Sequence, residues 1–151
     1  MAEFVTTQNP QLVAAGQNVL LADSIRCNKG YVLHRNGSGI LTLRGIVNGA
    51  GCFARYQVTF NGNIAIPTGG TVAPIAIALA IDGEPLQSSR AILTPAAADQ
   101  YGNVTSTAII TVPKGCCYTV AVENVAAGVG TEVAQQAINV TDGNLTVSRI
   151  A

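Results

Sequence analysis

Apolar and polar residues alternate one for one over 52–60. Cys52, Ala54, Tyr56, Val58 and Phe60 fall on one face; Phe53, Arg55, Gln57 and Thr59 fall on the other. A period of two predicts a strand with one face in a core. Residues 75–81 behave differently. Ile75, Ile77, Leu79 and Ile81 take one face and Ala76, Ala78 and Ala80 the other, so both sides are apolar and both need cover. The alanine side admits a close second layer, either another subunit or another part of the same one. Further strands are predicted at 18–22, 30–34, 39–46, 90–94, 103–112, 118–124, 137–140 and 145–150. The pairs Asn36-Gly37, Asn48-Gly49, Asn61-Gly62, Gly69-Gly70, Asp82-Gly83 and Asp142-Gly143 supply the positive φ angles of tight turns. The one helical candidate is a short turn from Pro95 to Asp99, with proline at its first position. Residues 1–16 show no clear period and are expected to form an N-terminal arm, with the domain over 17–151. About ten strands with almost no helix predict an all-β, two-sheet antiparallel jelly roll.

Composition sharpens this picture. Of 151 residues only 11% are charged, with eight Lys+Arg against eight Asp+Glu, whereas a typical soluble domain carries about 25%. The balanced charge gives no electrostatic reason to bind nucleic acid or an anionic membrane. So few charges on so much surface point to an oligomer, in which part of each subunit's exterior becomes interior. The longest clean apolar run, 75–81, is about a third of the ~20 residues of a spanning helix. The start, MAEFVTTQNPQ, lacks the basic and apolar regions of a signal peptide, so synthesis in a cytoplasm is expected. Cys27, Cys52, Cys116 and Cys117 are then expected as buried free thiols, without a C-x-x-C zinc spacing.

Chemistry has little raw material. His34 is the only histidine, and no nucleophile motif stands beside it. Ser38 in Gly37-Ser38-Gly39 reads as a hairpin turn, because a nucleophile elbow needs Gly-x-Ser-x-Gly between a strand and a helix. Asp82 and Glu84 flank Gly83 in a turn, too few oxygens for calcium. The basic residues are spread evenly along the chain. Glycosylation patterns begin at Asn36, Asn103, Asn139 and Asn144, where Asn and Thr also suit turns and strand ends. No catalytic, cofactor or metal residue is assigned, and no enzyme activity is expected.

From Pro74 onward the sequence runs PIAIALAIDGEPL, then ITVPKGCCYTVAVENVA, and closes on NLTVSRIA. A Leu-x-Ile-Asp-Gly turn, a Val-Pro-x-Gly turn into a strand ending Val-x-Asn, and the final strand occur in that order. This resembles the C-terminal globular domains of collagen-like bacterial spore-surface glycoproteins, of the TNF-like (complement globular-head) jelly-roll superfamily. The segments GYVLHRNGSGILTLRG and CFARYQVTFNGNIAIP are similar to a smaller group, short Firmicute and prophage proteins labelled as structural. The resemblance covers about residues 18–151, and its motifs are turns and core strands, which specify a fold and no reaction. It implies a homotrimer of ten-stranded jelly rolls with the last strand near the threefold axis. The chain departs from the spore proteins in lacking a Gly-X-Y stalk.

The expected function is a non-enzymatic structural protein, a homotrimeric jelly roll that decorates a bacteriophage virion as a capsid decoration or head-fibre protein. The expected trimer contacts are Ala76, Ala78, Ala80, Leu145, Val147 and Ile150. The arm is expected to dock on a capsid or other virion protein through Phe4, Val5, Leu12 and Val13. The alternative is an adhesin of a host, spore or cell surface, binding glycans through loops at 61–63, 88–89 and 126–132. A chain with no tryptophan and 5% aromatic residues argues against a sugar site of that kind.

Overall fold

Alternation over the middle of the chain produces its longest strand. β6 (Phe53–Ala65) buries Ala54, Tyr56, Val58, Phe60 and Ile64 and turns Arg55, Gln57 and Asn61 outward. It lies in the first of two antiparallel sheets. There β10 (Gly102–Pro113), β6 and β12 (Ile138–Arg149) stand side by side. Along the far edge of β12, β1 (Ala2–Val5) and β2 (Gln11–Val13) pair in series, and β3 (Asp23–Arg26) lies outside β1. The second sheet runs β4 (Val32–His34), β5 (Leu41–Arg44), β11 (Cys117–Val125) and β7 (Ile75–Ile81). Two short strands, β8 (Glu84–Pro85) and β9 (Ala91–Leu93), follow one another along β7. The two sheets enclose one apolar core, to which all the long strands contribute. The structure is a computed structural model that describes residues 2–6, 10–26, 30–45, 51–115, 117–128 and 135–150.

The expected jelly roll is therefore present, with corrections to its details. The N-terminal segment is not a detached arm. β1 is hydrogen-bonded between β12 and β3, and Phe4 and Val13 are buried in the core. The sequence hides this because a four-residue strand is too short to display a period. Asn61-Gly62 is no turn either, since β6 continues through it. A Cβ on Gly62 would lie 2.9 Å from the Phe60 ring and 3.3 Å from Gly143 Cα, so this glycine gives room to Phe60 and to the neighbouring strand.

Asp142-Gly143 does not separate two strands. It is a bulge within β12, with Asp142 at φ 51° and a register shift between Thr141 and Asn144. Thr6 clamps it: Gly143 N–H donates to Thr6 Oγ1 at 3.0 Å, and Thr6 N–H to the Gly143 carbonyl at 3.0 Å. The segment from Pro95 to Asp99 is bends and turns, and the one helical turn among the described residues is Gln87–Ser89. The expected strand at 18–22 is extended chain with a single bridge, Asn18 to Glu123. It crosses between the sheets, with Val19 N–H on the Val122 carbonyl and Ala22 N–H on the Val5 carbonyl.

Candidate assembly surface

The expected trimer contacts fall mostly inside the subunit. Leu145 and Val147 have no exposed surface and face the core between the sheets. Ala76 and Ala78 lie on the opposite side of β7, in a cluster with Ala127 and with Val125, the neighbour of Ala76 on β11. Arg90 helps to hold that cluster, donating from Nη1 to the Ala127 carbonyl at 3.1 Å. Ala80 is 2% exposed. The alanine side is thus closed within the subunit itself, one of the two alternatives left open by the sequence. Of the six residues only Ile150, at 48%, remains well exposed. Of the four docking candidates Leu12 is exposed and Val5 half-buried, while Phe4 and Val13 are core residues and face no partner.

A different surface emerges on the outside of the first sheet. Its outward positions are Asn103, Thr105, Thr107, Ile109 and Thr111 on β10, and Phe53, Arg55, Gln57, Thr59, Asn61 and Asn63 on β6. On β12 they are Thr141, Asn144, Thr146 and Ser148. Register aligns them in rows across the strands: Thr107, Thr59 and Thr146; Thr105, Asn61 and Asn144; Ile109, Gln57 and Ser148. Neighbours along these rows bond to one another. Thr59 and Thr107 share a hydrogen bond of 3.0 Å, and Thr105 Oγ1 and Asn103 Nδ2 both donate to Asn61 Oδ1, at 3.1 and 3.0 Å. Arg55 is the sole charge on these fifteen positions. The rim carries exposed Ile109 (62%), Phe53 and Ile150.

The bordering strand β10 has no charged residue along its twelve positions, and no described strand pairs with its outer side. Protein edges are ordinarily blunted by charge, proline or shortness. β10 has only Pro113, at its last position.

Elsewhere the candidate residues have structural duties. His34 donates from Nε2 to the Ser38 carbonyl at 2.9 Å, its Nδ1 lies 3.3 Å from Ser24 Oγ, and its ring packs 4.7 Å from Phe4. Ser38 belongs to a turn closed onto the Arg35 carbonyl. The Asp82 carboxylate accepts from the Thr119 N–H at 2.8 Å and its hydroxyl at 3.1 Å, which ties the Asp82-Gly83 turn to β11. Glu123 is pushed above the ordinary carboxylate range by burial and then by the neighbouring charge of Glu84. Among the described residues no three His, Cys, Asp or Glu side chains gather as metal ligands.

Cys52 and Cys117 are exposed free thiols, contrary to expectation. They stand at strand ends beyond the last core layer. Cys27 and Cys116 lie outside the described residues. The loops expected to bind glycans also change character: 61–63 is interior to β6, and Ser89 of the 88–89 pair is buried, bonded to Leu79 and Leu86. Of 126–132, residues 129–132 lie outside the described set.

One buried residue that sequence reasoning missed ties the second sheet to the first. Asn124, the last residue of the Val-x-Asn signature, donates from Nδ2 to the carbonyls of Val13 (3.2 Å) and Gln136 (2.8 Å). Its carbonyl accepts from Gly16 N–H and Gln135 Nε2. It joins β11 to the N-terminal segment and to the entry of β12.

No protein-family model and no curated protein matches the chain. Solved structures do. The globular domain of a zebrafish complement 1qA protein superposes with a TM-score of 0.65 at 12% identity, over 99% of this chain and 96% of that one. The chain has the TNF-like jelly-roll fold of a complement globular head. Looser agreement is found with the sugar-binding C-terminal domain of EclA (TM-score 0.39, 16% identity, 96% of this chain and 82% of that one). It is similar for the xylan-binding CBM22-1 domain of Paenibacillus barcinonensis Xyn10C (0.37, 13%, 99% and 94%). At those scores the agreement is only general. What the complement-head fold fixes is the strand order and the sandwich; identity this low transfers no binding residue.

Proposed function

We propose that this chain is a non-enzymatic structural protein, a homotrimeric complement-head jelly roll that decorates a bacteriophage virion as a capsid decoration or head-fibre protein. The observation that carries the assembly is the hydroxyl- and amide-covered outer face of β10, β6 and β12, bounded by an uncharged edge strand. Such a face costs less to desolvate than a charged one, its hydroxyls and amides can pair with those of a copy, and it carries a single charge, Arg55. The trimer contacts thereby move from the alanine side of β7 to Thr59, Thr107, Ile109 and their neighbours, with Ile150 kept from the original set. The virion setting is supported by the similarity of 30–45 and 52–67 to short prophage structural proteins. Among the described residues no catalytic groups converge, which suits a mechanical role.

Mass photometry tests the assembly. A species near three times the 15.4 kDa chain mass is expected, and a monomer at micromolar concentration overturns the proposal. Thr107→Arg places a charge in the middle of the face and is expected to shift the population to monomer while leaving the melting temperature of the isolated subunit unchanged. Attachment is read by electron microscopy of particles with and without the protein.

A further inference from the structure

The connections at one end of the sandwich are almost free of charge. β6 ends there at Ala65, β9 at Leu93 and β11 at Val125, and β7, β10 and β12 begin there. β2 lies on the last rung, with Leu12 opposite Asn139 and Asn139 opposite Ala65. Of the described residues, 10–17, 66–74, 94–101, 126–128 and 135–137 form this end, and their one charge is Asp99. Its carboxylate accepts from Thr68 Oγ1 at 2.6 Å. Arg90 reaches in from the side to the Ala127 carbonyl, and Asp142 lies on the bulge further along β12. Glu132, in the connection from β11 to β12, lies outside the described residues. The opposite end carries Arg44, Lys114, Arg149, Asp82 and Glu84.

Apolar side chains stand out at the uncharged end. Leu12 is 63% exposed, Val72 52% and Tyr101 43%, and Ala14, Ala15 and Ala96 are exposed as well. The loops that carry them are tied to one another. Asp99 N–H donates to the Ile66 carbonyl at 2.8 Å and Gly70 N–H to the Pro67 carbonyl at 2.9 Å. Gln136 holds Thr71 twice, its Oε1 accepting the Thr71 N–H at 3.1 Å and its Nε2 donating to the Thr71 carbonyl at 2.7 Å. Through Asn124 the same segment is joined to Val13. A surface held in this way has already given up the freedom that binding would otherwise cost it.

We infer that this end docks on the same end of a second copy, the two meeting end to end about a twofold axis. Exposed apolar groups in a setting depleted of charge are the composition of an interface core. Two such ends meet with one acid on each, already engaged by Thr68, whereas two of the opposite ends would have to strip water from several ionised groups. A foreign partner is ordinarily selected by complementary charge, and this end offers little. The contact lies at the end of β6, away from Thr59 and its row, so it goes beyond the proposed assembly and does not depend on it. A threefold axis turns the same end of every copy the same way, so a trimer presents three of them together and pairs with another trimer.

Sedimentation equilibrium of the full chain tests this from about 1 µM to about 100 µM, the range in which a small interface associates. The mass is expected to double across that range, and to do so equally at about 0.3 M salt, because no ion pair is there to be screened. Leu12→Asp combined with Val72→Asp is expected to abolish the doubling, with thermal melts confirming that the variant folds. Val72→Asp alone, outside every strand, is expected to weaken the pairing by about tenfold or more, since it opposes like charges. Ile40→Asp, at an exposed aliphatic position just before β5, is expected to leave it intact. A mass that never doubles overturns the inference. So does doubling that survives in Val72→Asp, that is lost equally in Ile40→Asp, or that salt removes. Binding to phosphatidylcholine vesicles in place of doubling also overturns it, assigning the end to a membrane. The dilute limit reads the other proposal separately. Three chain masses without doubling keep the face and sink the end, and one chain mass that doubles does the reverse.

Discussion

Gly62 and Gly143 face one another where β6 passes the bulge of β12, and the ring of Phe60 lies over both. A Cβ on either would stand within 3.3 Å of that ring. The dipeptides Asn61-Gly62 and Asp142-Gly143 have the composition of hairpin turns, but here the glycines serve close packing and a bulge. Local composition cannot distinguish these uses, because the crowding at each glycine arises only where two strands distant in sequence come side by side. Glu123 carries a consequence that does appear locally. Burial favours its neutral form in the folded chain alone. The folded state therefore loses stability as pH rises through the carboxylate range and suffers no such penalty in acid. Glu123→Gln is expected to raise the melting temperature at pH 7 by a margin worth less than about 1 kcal/mol, since a half-buried group is still screened. The gain is expected to vanish below about pH 4, and equal gains at both pH values in thermal melts would contradict the assignment.

At the scale of elements, the sequence revealed strands where alternation ran long enough. β6, β7, β10 and β11 were all legible, with ends displaced by a few residues or fewer except where β6 ran through its apparent turn. The strands missed, β1, β2, β3 and β8, have two to four residues, and pairing rather than pattern makes them strands. The alanine side of β7 was rightly read as covered, but it is buried within the single subunit. Buried area on one strand does not say which chain supplies the lid. The placement of β1 has a measurable cost if disturbed. Phe4→Ala is expected to destabilise the fold by about 3–5 kcal/mol, the usual range for a buried aromatic truncated to alanine, read as a lower midpoint in urea unfolding. An unchanged midpoint would return β1 to the status of a loose arm.

For the whole molecule, scarcity of charge was visible in the composition, but its distribution was not. The fold gathers a face with a single charge, Arg55, on the first sheet and a basic end where β5, β10 and β12 finish, from residues that lie far apart in the chain. Neither feature has a sequence motif, because each exists only once strands are in register. If the face joins copies, folding and assembly are linked by mass action. The melting temperature is then expected to rise with protein concentration over two or three decades, whereas a solitary subunit melts at one temperature throughout. Differential scanning fluorimetry on a dilution series reads the difference.

The pairing of β1 with β12, Ala2 opposite Val147, also sets an order of events during synthesis. β1 has two partners, β12 and β3, and β2 has β12 alone. The opening residues leave the ribosome well before the strand that receives them exists. The first sheet cannot close until residues 138–149 have emerged, so loop closure over nearly the full chain becomes a late step. Folding of this head is therefore expected to wait until β12 has emerged, since β1 has no place in the sheet without it.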